Sequence, residues 1–315
     1  MKRRILIFSL LIFSLTVGKV YPFWIWSPKT GKWVNPKTAV KPDPKDQFAY
    51  AQNLFEGEKY KEAKSELKKL IAHYPRSFEA AESQYYLGLI EEKMGNPYQA
   101  FLEFQKVIDK YPFSERIQEI IEREYNIAEA FMSGEKRKVL GVALPVENPA
   151  IEILYKVIEN SYYGPLAPKA EYKLGLVLKG LMRYYEAEEA FNKVISNYPE
   201  SEWVEPAKYQ IALARASVSR GPDYDQGATQ EAQEKFAAFI EEHPDAVLSD
   251  KAEDNINELK EREAESSYNS GRFYEKQKKF EAARIYYGDV IGNHPNSPWA
   301  AKALERLHIM EKTER

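Results

Sequence analysis

Cysteine is missing from all 315 residues, which removes disulfides, thiolate metal ligands and thiol nucleophiles together, along with the acceptor for a bacterial lipoprotein anchor. A dominant charge is missing too. The 45 basic and 48 acidic side chains leave a net charge of −3, so no global field draws nucleic acid or anionic lipid. Histidine is scarce: His243 and His294 fall in a repeated slot described below, His73 adjoins one, and His308 lies near the C-terminus. No phosphate-cradling glycine loop, metal-spaced histidine pair or nucleophile elbow is present. Adjacent acidic pairs such as Glu188-Glu189 and Glu241-Glu242 do not converge on one point of a helix surface. No catalytic, cofactor-binding or metal-ligating residue is assigned, and the chain reads as non-enzymatic.

Only one long apolar run exists, Ile5 to Val17, preceded by Lys2, Arg3 and Arg4 and followed by Gly18. As a helix it would reach about 20 Å, short of a hydrocarbon core of about 30 Å. It has the layout of an export signal with cleavage expected near Gly18, which predicts a periplasmic or otherwise extracytoplasmic protein.

What the chain does contain is a recurring phrase. Ala63/Leu67/Leu70/Ile71/Tyr74/Pro75 returns as Ala100/Phe104/Val107/Ile108/Tyr111/Pro112 and as Ala187/Phe191/Val194/Ile195/Tyr198/Pro199. It returns again as Ala232/Phe236/Phe239/Ile240/His243/Pro244 and Ala283/Tyr287/Val290/Ile291/His294/Pro295. A sixth, eroded copy runs through Ala150, Leu154, Val157 and Ile158 and closes on Ser161-Tyr162. Offsets of 0, 4, 7, 8 and 11 lie along one stripe of an α-helix, which the proline cannot continue. The pattern predicts an all-α array of helical hairpins, about ten to twelve helices in a right-handed superhelix, and arrays of this kind usually hold other proteins.

Local signals agree with the pattern. Ser77, Ser114, Ser201 and Ser297 follow the prolines as N-cap candidates, and Pro298 suits a first helical position. The first helix is expected over Phe48 to Phe55 and the second over Tyr60 to His73, while Pro206 predicts a late start or a bend. Gly88, Gly175, Ala212 and Gly271 each follow a tyrosine by three residues and would let the paired helix approach closely. Two stretches depart from the array: Ser133 to Asn148 is a long loop, and Gly221 to Gly227 interrupts the fifth hairpin. Ser249 to Lys278 contains no proline and predicts one continuous rod.

Before the array, three of the five tryptophans lie within ten residues, Trp24, Trp26 and Trp33, around a turn-like Ser27-Pro28-Lys29-Thr30-Gly31. A small hairpin over Phe23 to Val34 is expected, and no other sheet. The rings would either cap the first helices or form a docking patch for a protein or an envelope glycan. The organisation is thus a signal peptide (1–18), a Trp/Pro-rich segment (19–46), N-terminal hairpins (47–133), a loop insertion (134–148) and C-terminal hairpins (149–315).

The repeats are tetratricopeptide-like. From Asp223 onward the chain resembles the BamD family of outer-membrane β-barrel assembly factors, on Asp225-Gln226, Ala232 to Pro244, Leu259-Lys260-Glu261-Arg262-Glu263, Arg272-Phe273-Tyr274, Ala282-Ala283 and Asn296-Ser297. The resemblance implies a five-hairpin scaffold whose N-terminal repeats receive unfolded outer-membrane proteins and whose C-terminal repeats dock on the barrel-inserting subunit. It implies a periplasmic protein peripheral to the outer membrane. This sequence departs from the family in lacking its lipidated cysteine, in the added Trp-rich segment, in the enlarged loop, and in Tyr286 where an arginine is frequent, with Arg284 nearby. Candidate contacts are Phe55, Tyr60, Tyr85 and Tyr86 for clients, Arg284 and Tyr286 for the inserting subunit, and Trp24, Trp26 and Trp33 for attachment. Scaffolds of cell division or envelope tethering use similar repeats, and a glycan-binding adaptor is the reading from another class.

Overall fold

The computed structural model describes residues 24–28, 31–35, 39–134, 138–139, 142–143, 148–218 and 226–313. The expected signal peptide, residues 221–225 and most of the 134–148 insertion lie outside them. The described residues form thirteen helices and two short antiparallel hairpins, an all-α helical-repeat solenoid. The helices are α1 (Pro44–Glu56), α2 (Tyr60–His73), α3 (Phe78–Lys93), α4 (Pro97–Lys110), α5 (Ile117–Met132), α6 (Pro149–Asn160) and α7 (Ala167–Gly180). They continue with α8 (Tyr184–Asn197), α9 (Val204–Val218), α10 (Gln226–Glu242), α11 (Val247–Lys276), α12 (Phe280–Asn293) and α13 (Pro298–Thr313). The six repeat phrases account for six pairs. The thirteenth helix is α13, which exceeds the expected ten to twelve because it follows the last pair with no further phrase behind it.

The stripe is the core. In all six copies the Ala, the large residue four later and the apolar residue three beyond that are at most 2% exposed. In three of the pairs a glycine on the partner helix stands opposite the large residue. A Cβ added at Gly88 would lie 2.2 Å from the Phe104 ring, at Gly175 2.5 Å from Phe191, and at Gly271 2.7 Å from Tyr287. Where a proline closes the stripe, the residue before it leaves helical geometry. Tyr74 has φ −125° and ψ 52°, yet its N–H still donates to the carbonyl of Leu70, so the last turn closes before the chain turns away.

The chain divides into two compact units, residues 1–120 and 121–315, with the division inside α5. In the first, Ala51, Ala63, Leu67, Leu87 and Ile90 share one apolar cluster. Helix α1 begins four residues before the expected Phe48, because the Asp43 carboxylate accepts from the Lys45 N–H at 2.8 Å and Pro44 opens the helix. Gln47 and Gln84 act as buried clamps between paired helices. Gln84 Nε2 donates to the Glu103 carbonyl at 3.0 Å and to its Oε2 at 2.7 Å, and Gln47 does the same to Glu66 at 3.3 and 2.8 Å.

In the second unit, α11 runs unbroken for 30 residues, about 45 Å, and serves two cores. Ala252 and Leu259 pack with Tyr209, Ala212, Phe236 and Phe239, whereas Ala264 and Tyr268 pack with Tyr287, Val290 and Ala303. Helix α9 starts late, at Val204, three residues after Ser201, whereas α3 and α13 start directly after Ser77 and Ser297; Pro206 sits two residues further on. It falls in the first turn, where N–H groups lack helical partners anyway, and the Ala207 N–H donates to the Trp203 carbonyl.

Ile25–Ser27 (β1) pairs antiparallel with Lys32–Val34 (β2), as the turn composition predicts. The expectation of no other sheet is corrected by Lys138–Val139 (β3) pairing with Val142–Ala143 (β4) inside the loop insertion. Two β-branched valines separated by Leu140-Gly141 have the spacing of a two-residue hairpin connection, a signal that the reading of this stretch as loop overlooked.

Candidate protein-binding surfaces

The sequence candidates separate into three places. In the first unit, Phe55, Tyr60 and Tyr86 come together, joined by Phe48. The Phe55 ring meets Tyr60 at 5.7 Å and Tyr86 at 5.2 Å, and Phe48 meets Tyr86 at 5.3 Å, all edge to face. All four are only partly buried. The Tyr86 hydroxyl accepts from Gln52 Nε2 at 3.1 Å, and burial, followed by the nearby Glu82 carboxylate, pushes its pKa up. This is an apolar cluster with a hydrogen-bonding edge, suited to an aromatic side chain beside a peptide backbone.

Tyr85 is not part of it. Only 3% exposed, it packs on Phe104, donates its hydroxyl to Glu119, and lies under the Arg116 guanidinium at 4.9 Å. Arg116 in turn pairs with Glu82 and Glu119, tying α5 to α3. Tyr85 is therefore core, and its place on the stripe three residues before Gly88 is the reason.

On the last hairpin, Tyr286 stacks on Tyr274 with centroids 5.4 Å apart and planes 9° from parallel. Phe273 meets Tyr274 edge to face and is 56% exposed, and Ile285 is 72% exposed. Arg284 donates to Glu281 at 2.6 Å within the same helix. Sequence reading singled out Arg284 and Tyr286 but missed Phe273 and Ile285. Their signal was available: Ile285 stands two residues after the repeat Ala283, off the buried stripe, where an apolar residue must face outward. Phe113, 98% exposed in the turn after Pro112, and Phe78, exposed at the first position of α3, were missed in the same way.

The third place is the Trp hairpin. Trp26 and Trp33 are cross-strand partners with centroids 5.7 Å apart, and Trp24, Trp26 and Trp33 are 54%, 49% and 62% exposed. Rings so open are not acting as the buried cap considered above. The other two tryptophans differ: Trp203 packs on Tyr172 at 4.9 Å and Trp299 on Tyr268 at 5.2 Å.

An open cleft of about 610 Å³ lies between the start of α8, at Met182, Tyr184 and Tyr185, and the end of α9, at Ser217 and Val218. The Arg183–Glu186 ion pair at its rim is internal to one turn. Among the described residues, no group of three or more acidic or histidine side chains is placed to hold a metal ion.

The YfiO family model, described as an outer membrane lipoprotein, matches residues 149–314, and a tetratricopeptide-repeat model matches residues 47–77 and 82–114. No curated protein matches the chain. Similar solved structures include the C-terminal part of a TPR repeat-containing protein from Cytophaga hutchinsonii, 18% identical over 83% of this chain and 88% of that one, with a TM-score of 0.36. A tetratricopeptide repeat protein from Parabacteroides merdae is 14% identical over 83% and 97%, TM-score 0.35. MamA from Desulfovibrio magneticus is 18% identical over 64% and 96%, TM-score 0.31.

Proposed function

The chain belongs to the YfiO outer membrane lipoprotein family, the BamD-like group its C-terminal half resembles, and from that premise we propose a non-catalytic periplasmic scaffold of outer-membrane β-barrel protein assembly. The observation that carries this reading is the family match over residues 149–314, more than half of the chain. The family and the tetratricopeptide repeats are those of protein-binding scaffolds, and no described helix is long and apolar enough to cross a membrane.

Two surfaces divide the work. The half-buried cluster of Phe48, Phe55, Tyr60 and Tyr86 receives extended, aromatic-rich client segments, with the Tyr86 hydroxyl holding backbone. The exposed Phe273 and Ile285, beside the Tyr274–Tyr286 stack, form the anchor for the barrel-inserting subunit. An apolar contact there replaces the ion pair that an arginine at position 286 would make, because Arg284 is engaged by Glu281. Co-purification of a barrel-inserting subunit with the wild-type protein, lost in a Phe273→Ala/Ile285→Ala variant, tests this. A wild-type protein that instead brings down division or envelope-tethering components overturns it.

A further inference from the structure

The Trp hairpin differs from the rest of the chain in charge as well as exposure. Six lysines and one acidic residue lie between positions 19 and 45, whereas residues from 46 onward carry 36 basic and 47 acidic side chains. The basic segment holds three tryptophans on one small hairpin. Trp26 and Trp33 are direct partners across the strands, and Trp24 directly precedes β1. All three rings are about half exposed or more, while Trp203 and Trp299 are packed on tyrosines of the array.

We propose that this hairpin seats the protein on a phospholipid surface bearing anionic headgroups, with Trp24, Trp26 and Trp33 entering the interfacial layer and the net positive charge of the 19–45 segment favouring the anionic leaflet. The physical case rests on three matches. Tryptophan, with an apolar body and one N–H donor, settles at the level of the headgroups rather than in water or hydrocarbon. Lysine-rich segments are drawn to anionic leaflets, and the acidic remainder of the chain is repelled by them, so only the hairpin end approaches. The Trp26 and Trp33 rings meet at 67°, not side by side in one plane, so they do not form the flat platform on which a sugar ring stacks. Two three-residue strands are marginal in water, and burying their rings at an interface stabilises them. The inference does not depend on which proteins the helices hold.

The test uses protein isolated from the envelope, as wild type, as a Trp24→Ala/Trp26→Ala/Trp33→Ala variant, and as a Lys29→Gln/Lys32→Gln/Lys37→Gln variant. Each is mixed with vesicles of phosphatidylethanolamine and phosphatidylglycerol, or of phosphatidylcholine alone. The wild type should sediment with the anionic vesicles in a salt-sensitive way. The Trp variant should bind roughly tenfold or more weakly, and the Lys variant roughly threefold or more weakly. Brominated acyl chains should quench wild-type tryptophan emission but leave the emission of Trp203 and Trp299 in the Trp variant untouched. Far-UV circular dichroism establishes that the helices persist, and if the Trp variant does not fold, the wild-type quenching decides alone. Absence of quenching, equal binding by the wild type and a folded Trp variant, or Trp-dependent binding to peptidoglycan or an envelope protein without vesicle binding each overturns the proposal.

Discussion

Replacing Glu171 with Gln should stabilise the protein near neutral pH and remove a pH dependence that the wild type carries. In the first two hairpins a glutamine on the leading helix reaches a glutamate nineteen residues later, at Gln47–Glu66 and Gln84–Glu103. In the α7–α8 pair the same places hold Glu171 and Ala190, so a carboxylate stands where a donor is needed and its partner is gone. Glu171 is 4% exposed, and burial pushes its pKa up to about 7, Lys193 pulling it down and Glu189 pushing it further up. The folded form therefore keeps a proton that the unfolded chain, with an ordinary carboxyl near 4.5, releases earlier. Stability from this group is complete below about pH 4.5 and is lost as pH rises through about 7, by roughly 3–4 kcal/mol at 1.36 kcal/mol per pKa unit. Gln at this position needs no proton and restores a donor for the carbonyl at position 190. The variant should melt roughly 5–10 °C above the wild type near pH 8 and close to it near pH 5. Melting curves that stay parallel across that range would refute the reasoning.

Gly88→Ala places a Cβ 2.2 Å from the fully buried Phe104 ring and should cost about 1–3 kcal/mol in denaturant unfolding; a change within 0.5 kcal/mol would mean the pair relaxes freely. Met182 occupies the left-handed position before α8, φ 61°, that Gly95 fills before α4, and it is 75% exposed, so Met182→Gly should stabilise by about 0.5–1 kcal/mol, read as a raised melting temperature. Glu258→Pro breaks the backbone ladder of α11 at about 3 kcal/mol or more, and hydrogen exchange should show both the Leu259 and the Tyr268 clusters loosening while residues 44–110 stay protected.

The array was legible because its determinants are local and repeated. The spacing of Ala187, Phe191 and Val194 marks a buried face, and Tyr198-Pro199 marks its end, without any knowledge of what lies opposite. The continuous α11 was legible for the same reason, from the lack of proline between Ser249 and Lys278. That such a rod joins the last two hairpins was legible with it, whereas the particular neighbours that Leu259 and Ala264 meet were not. Tyr85 and Tyr86 show the limit most clearly. They are adjacent and identical in type, and only the position of Gly88 relative to Tyr85 separates the core ring from the half-buried one. The clamp at Gln84 and its erosion at Glu171 join residues nineteen apart on two helices, a pairing visible only once the helices are packed.

The central claim is that this array connects clients to the barrel-inserting machinery of the outer membrane, and in-cell photo-crosslinking from single positions tests it most directly. A photoreactive residue in place of Phe55 should capture unfolded outer-membrane proteins, and one in place of Ile285 should capture the barrel-inserting subunit. Adducts from both positions confined to division or peptidoglycan-associated proteins would contradict it.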